Sequence, residues 1–119
     1  MTKSSLIHAL QTADYLVFRG HGSATSWRLD AAAALKAEDI PKLPPLVIES
    51  GSCQSFRLWV KDSIAMAFVR KGAAAYAGFV FSPLAGATIG DTYALPFEHT
   101  WKDFPVGMVV SLQNRATLK

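Results

Sequence analysis

A chain of 119 residues, half of them apolar, is long enough to bury the core of one α/β domain and too short for two. Its net charge of +3 comes from 12 basic and 9 acidic residues scattered without a Lys or Arg run, which argues against nucleic acid as a partner. The lone cysteine, Cys53, cannot close an internal disulfide and is therefore either a buried small apolar residue or a working thiol.

Met1 to Gln11 lacks the apolar centre of a secretory signal, which leaves the cytoplasm as the default expectation. In chain order, Ser4 or Ser5 is expected to cap a short helix running through Thr12, with Leu6, Ile7 and Leu10 on one face. Tyr15-Leu16-Val17-Phe18 reads as a strand buried on both faces. Small and polar residues around Trp27 predict a loop from Gly20 to about Leu29. A weak helix is predicted over Ala31 to Leu35, and a helical turn over Ala37 to Ile40 that Pro41 ends. Pro44-Pro45 forces extension, so the next strand is expected over Leu46 to Glu49.

A helix is then predicted over Lys61 to Arg70, with Ile64, Ala65, Phe68 and Val69 as its apolar stripe and Gly72 as its C-terminal cap. Ala73 to Phe79 reads as a third strand. Gly72 to Gly90 carries no charge, yet Gly78, Pro83 and Gly86 interrupt it, so it reads as strand plus loop and no membrane partner is expected. After a loop over Pro83 to Gly90, two helical stretches are plausible, Asp91 to Trp101 and Val106 to Arg115. Strands separated by helices imply an α/β fold, a short, mostly parallel sheet of three to four strands flanked by helices, in a single domain over 1–119.

In such a sheet, residues just past the strands' C-terminal ends gather along one edge, where ligands bind. Gly20-His21-Gly22 follows one strand and Gly51-Ser52-Cys53 follows the next, so His21 and Cys53 are expected on that edge. Imidazole passes protons near neutral pH and a thiolate is a strong nucleophile, so the two suit acyl transfer. Glycines on either side of His21 let the backbone turn sharply and approach a substrate closely, and the amides of Gly22 and Cys53 are natural donors to an oxyanion. The plainer reading makes His21 a turn residue and Cys53 core. A metal site from His21, Cys53 and either His8 or His99 is disfavoured, and no metal or organic cofactor is expected.

Leu16 to Ser23 followed by Leu46 to Cys53 resembles the His-Gly and Cys segments of the caspase-like (clan CD) cysteine peptidases, and most of all the gingipain family and the related CHAT domains. Ser63 to Phe68 with Gly72 to Gly78 is similar to that family's helix and strand after the nucleophile, and Val106-Gly107 onward to its closing helix. The resemblance implies a three-layer caspase-like fold, either whole or the C-terminal portion of one. It implies a peptide or protein substrate, Cys53 as nucleophile, His21 as acid and base, and an oxyanion hole at Gly22 and Cys53.

The family carries further strands before the His strand, where this chain has only about fourteen residues. Another chain, most simply a second copy, is therefore expected to cover Tyr15 to Phe18. The same missing segment supplies the family's acidic partner and part of its specificity pocket. Candidate replacements are Asp30, Glu49 and Asp91 for charge and Trp27, Trp59 and Tyr93 for walls, each of which also reads as an ordinary surface charge or packing aromatic. Two other readings stay open: a catalytically silent caspase-fold interaction or assembly module, and an unrelated small α/β binding domain.

Overall fold

Residues 1–82 are the part of the chain that the computed structural model describes. Helix α1 spans Lys3–Thr12 and buries Leu6 and Leu10. Its cap is Thr2 rather than Ser4 or Ser5. Thr2 Oγ1 accepts the Ser5 amide at 3.1 Å while Ser5 Oγ accepts the Thr2 amide at 3.2 Å, so two otherwise orphaned donors are satisfied reciprocally.

Strand β1 (Tyr15–Phe18) pairs in parallel with β4 (Val47–Ser50), which pairs in parallel with β5 (Ala75–Ala77), so the sheet order is β1-β4-β5. Every residue of the central strand β4 is buried, as its unbroken apolar start suggests. The expectation of a mixed α/β chain with a short parallel sheet therefore holds at this level. Among the described strands, β1 has β4 on one side and none on the other.

The largest departure lies between β1 and β4. In place of a loop and a weak helix, β2 (Ser26–Arg28) and β3 (Ala34–Lys36) form an antiparallel hairpin, with Trp27 opposite Leu35 and both fully buried. Ala31 to Ala33 favours helix locally but offers no large apolar face, and short helices are marginal without one. Burying an indole and a Leu outweighs that propensity. Asp30 Oδ1 closes the connecting loop by accepting the amides of Ala32 and Ala33 at 2.7 and 2.8 Å. The predicted helical turn is present as a 3-10 turn at Ala37–Asp39.

The second helix, α2, covers Ile64–Arg70, shorter than expected because Asp62 takes a left-handed φ of 59° and Ser63 caps, accepting the Met66 amide at 3.3 Å. Gly72 follows it with φ 111°, the conformation expected of a glycine just past a helix end. Strand β5 is shorter than the predicted 73–79 because the chain beyond it turns to bond the loop after β4: Phe56 N donates to Phe79 O at 2.9 Å and Gln54 N to Phe81 O at 3.0 Å.

The pairing register places Leu16, Phe18, Ile48, Ser50 and Tyr76 on one face of the sheet. Leu6, Leu10, Trp27, Ile64 and Phe68 belong to the same core. Trp27 is its centre, stacked on Phe18 at 4.4 Å and packed on Phe68 at 4.8 Å and Tyr76 at 6.4 Å. The loop over Pro83 to Gly90, the stretches Asp91 to Trp101 and Val106 to Arg115, and the residues His99, Asp91 and Tyr93 lie outside the described residues.

Candidate functional site

The parallel register of β1 and β4 sets the site. Phe18 is the Cα partner of Ser50, and Gly51 N extends the ladder by donating to Phe18 O at 2.8 Å. His21 and Cys53 each lie three residues beyond that pair, so the two loops leave adjacent strands at the same level.

His21 opens the β2 hairpin. Its carbonyl accepts the Arg28 amide at 2.9 Å, and Ser23 N donates to Ser26 O at 2.9 Å. These bonds bracket the Gly22–Trp27 bridge, which makes it a pair whose own amides point away from each other. The Gly22 amide is thus turned out of the hairpin, and neither it nor the Cys53 amide has an acceptor among the described residues. The turn between Gly22 and Trp27 is anchored at the start of α2, where Ile64 N donates to Ala24 O at 2.9 Å.

The two loops touch through Gly22 and Ser52. A Cβ on Gly22 would lie 2.7 Å from Ser52 Cβ, 2.8 Å from Ser52 Oγ and 2.9 Å from Ser26 O, closer than side-chain atoms approach. Gly22 therefore serves the close approach of the two loops to each other, a role the flanking glycines alone did not indicate. Among the described glycines only Gly72 has a positive φ, so neither Gly20 nor Gly22 serves a left-handed backbone. The left-handed residue of the cysteine loop next to the thiol is Gln54, directly after Cys53, with φ 56°. The hydrogen bond its backbone amide donates to Phe81 O and the 3.3 Å one from its Nε2 to Ser82 Oγ hold it there. Sequence reasoning gave Gln54 and Ser52 no role, and only the backbone conformation reveals them.

Beneath Cys53 lies a buried serine cluster. Ser50 Oγ is 2.8 Å from Ser52 Oγ and 3.0 Å from Ser55 Oγ, and Ser55 Oγ donates to Ser52 O at 3.2 Å. Cys53 is half-buried with a free thiol, whereas the His21 side chain is exposed. Neither side chain is hydrogen-bonded to the other or to any described residue.

A groove of about 480 Å³ runs on the histidine side, walled by Phe18, Arg19, His21, Arg28, Leu29 and Asp30, and Cys53 does not line it. Of the candidate pocket walls, Trp27 is corrected: with 0% of its surface exposed it is core and cannot touch a substrate. Trp59 is 73% exposed on the loop after Cys53. Of the acidic candidates, Asp30 is held below the usual aspartate range by the amides of Ala32 and Ala33 and acts as a turn cap. Glu49 is buried on β4 and accepts a hydrogen bond from the Tyr15 hydroxyl. Among the described residues no group of three His, Cys, Asp or Glu could hold a metal ion, and no helix is long and apolar enough to cross a membrane.

Comparison with known proteins gave no match to a family model, to a curated protein or to a solved structure.

Proposed function

We propose that this chain is a cysteine peptidase of caspase-like, three-layer architecture, similar to the gingipain and CHAT domains. In this reading the Cys53 thiolate attacks a peptide carbonyl, and the tetrahedral oxyanion is held by the outward-turned Gly22 amide and the Cys53 amide. The imidazolium of His21 then gives its proton to the departing amine as the C–N bond breaks. Water, deprotonated by His21, cleaves the resulting thioester, releasing the acid and restoring the thiol. The observation that carries the reading is the matched placement of His21 and Cys53, three residues past a paired position on adjacent parallel strands, with Gly22 against Ser52.

A second reading, a catalytically silent interaction or assembly module of the same fold, is favoured by the unbonded His21 and Cys53 side chains and by a groove that Cys53 does not line. Labelling separates the two. The wild-type chain and the His21→Ala and Cys53→Ala variants are treated with iodoacetamide and with a peptide acyloxymethyl ketone, and adducts are read by mass spectrometry. The peptidase reading expects ketone labelling of Cys53 that His21→Ala abolishes. Alkylation by iodoacetamide alone, with no ketone adduct and no dependence on His21, would leave the silent module.

We also propose that a second copy of the chain pairs along the side of β1 that no described strand covers, because a strand of Tyr, Leu, Val and Phe at the edge of the described sheet invites pairing.

A further inference from the structure

Register fixes which backbone groups of β1 are turned away from β4. Val47 N donates to Asp14 O at 3.0 Å and Gly51 N to Phe18 O at 2.8 Å, so the carbonyls of Asp14 and Phe18 face β4. Backbone groups alternate in direction along a strand, so those of Tyr15 and Val17 point to the other side. The Val17 amide and carbonyl have no hydrogen-bond partner there among the described residues.

Two further features mark the same edge. A cleft of about 110 Å³ lies between α1 and β1, walled mainly by Leu6, Ala9, Leu16, Val17 and Phe18. Charges of opposite sign flank the strand, Asp14 before it and Arg19 after it, while Tyr15 to Phe18 carry none.

We propose that the second copy meets this edge through an antiparallel ladder of β1 on β1, about a two-fold axis that is normal to the sheet and passes between the two Leu16 residues. This rests on the pairing along β1 proposed above and is independent of the thiol chemistry. Two copies joined through the same edge have two possible axes. An axis along the strands sets Asp14 beside Asp14 and Arg19 beside Arg19, and puts the two α1 helices on opposite faces. An axis normal to the sheet brings Asp14 of each copy to the end where the other carries Arg19, and keeps both helices on one face.

The turned-out groups then select the register, because Tyr15 and Val17 are the bonding positions and must oppose each other or themselves. Tyr15 opposite Val17 keeps every bonded residue within the strand, whereas Tyr15 opposite Tyr15 or Val17 opposite Val17 pairs a strand residue with one outside it. Leu16 is then opposite Leu16 as a non-hydrogen-bonded pair, with Cα atoms ~4.5 Å apart. Leu16 lies on the α1 face, so the two clefts join across the axis into one apolar volume. The sheet becomes continuous in the order β5-β4-β1-β1-β4-β5, and the two candidate sites fall on opposite edges of it. Each His21 stays with the Cys53 of its own chain.

The test uses the full chain at micromolar concentration. Sedimentation velocity is expected to give a dimer for wild type and a monomer for Val17→Pro, which removes a turned-out amide without breaking a bond to β4. Val17→Lys, which sets like charges near the axis, is expected to do the same and decides the matter if circular dichroism shows Val17→Pro unfolded. Register is read by oxidation in a Cys53→Ala background. Leu16→Cys is expected to give a disulfide-linked dimer, whereas Val17→Cys, with Cα atoms ~7–8 Å apart across the axis, is not. A wild-type monomer, or a dimer that a folded Val17 variant does not dissociate, overturns this arrangement and the pairing along β1 together. A dimer that the Val17 variants dissociate but that Leu16→Cys fails to link, or that Val17→Cys links as well, overturns the arrangement alone.

Discussion

Replacing Gly22 by alanine adds one methyl group at the point where the histidine and cysteine loops meet. The new Cβ would fall 2.7 Å from Ser52 Cβ and 2.9 Å from Ser26 O. Relief by the Ser52 side chain is closed off, because that residue is fully buried and hydrogen-bonded to Ser50. Relief on the other side must move backbone that accepts the Ser23 amide. The strain is therefore that of an overpacked core site, about 1–3 kcal/mol. For a chain of this size that is a fall in Tm of about 4–12 °C. Two other glycines serve as internal controls. A Cβ on Gly51 meets nothing closer than 3.4 Å, and one on Gly20 meets nothing closer than the far end of the Phe18 ring at 3.1 Å. Thermal melts of Gly22→Ala, Gly20→Ala and Gly51→Ala should rank Gly22→Ala as clearly the least stable. Alkylation of Cys53 should also lose its dependence on His21 in that variant alone. A Gly22→Ala melt indistinguishable from that of Gly51→Ala would refute the contact, and with it the basis for placing the two loops together.

Asp39 is held below the usual aspartate value of 3.8 chiefly by the Lys36 amide, with Lys3 assisting at 3.1 Å. A depressed carboxyl contributes stability that is present above pH 3.8 and lost as pH falls through the folded value. Asp39→Asn should therefore flatten the acid limb of a urea-stability profile below about pH 4, and an unchanged limb would contradict the capping role. Burial pushes the Tyr76 phenol above its ordinary 10.0. A raised pKa gives stability that is full below pH 10.0 and lost as pH rises through the folded value, so Tyr76→Phe should show a shallower alkaline loss than wild type. At neutral pH the same variant leaves the Trp27 N–H without its acceptor, and a loss of about 1–3 kcal/mol is expected in urea titrations. Sedimentation velocity at micromolar concentration should give a dimer, and a soluble monomer at all concentrations would sink the proposed pairing through β1.

How much of this was legible beforehand depends on the range of the interaction that decides each element. Tyr15 to Phe18 announces itself because an unbroken apolar run of strand length has few other fates. The cap at Gly72 is equally local, set by a backbone conformation that glycine adopts freely. Ala31 to Leu35 misled because its helical propensity is a sum of small local terms. The hairpin that replaced it is stabilised by Trp27 meeting Phe18, Phe68 and Tyr76, residues from three other segments. For the same reason Trp27 could pass for a pocket wall: an aromatic in a polar-looking stretch carries no local mark of being buried.

What the amino-acid sequence by itself determined is the pairing of two chemical groups with two strand ends, His21 after Tyr15–Phe18 and Cys53 after the β4 strand, together with small residues beside each. Strand ends and glycines are written in short-range sterics and in apolar runs, and these survive without knowledge of neighbours. Only the tertiary structure decided that β1 and β4 are adjacent and in register, that Gly22 is required by Ser52 rather than by its own backbone, and that the buried Trp27 indole donates to the Tyr76 hydroxyl of β5. These are contacts between residues far apart in the chain. Their strength depends on packing and on buried hydrogen bonds that exist only once the core has closed around Trp27.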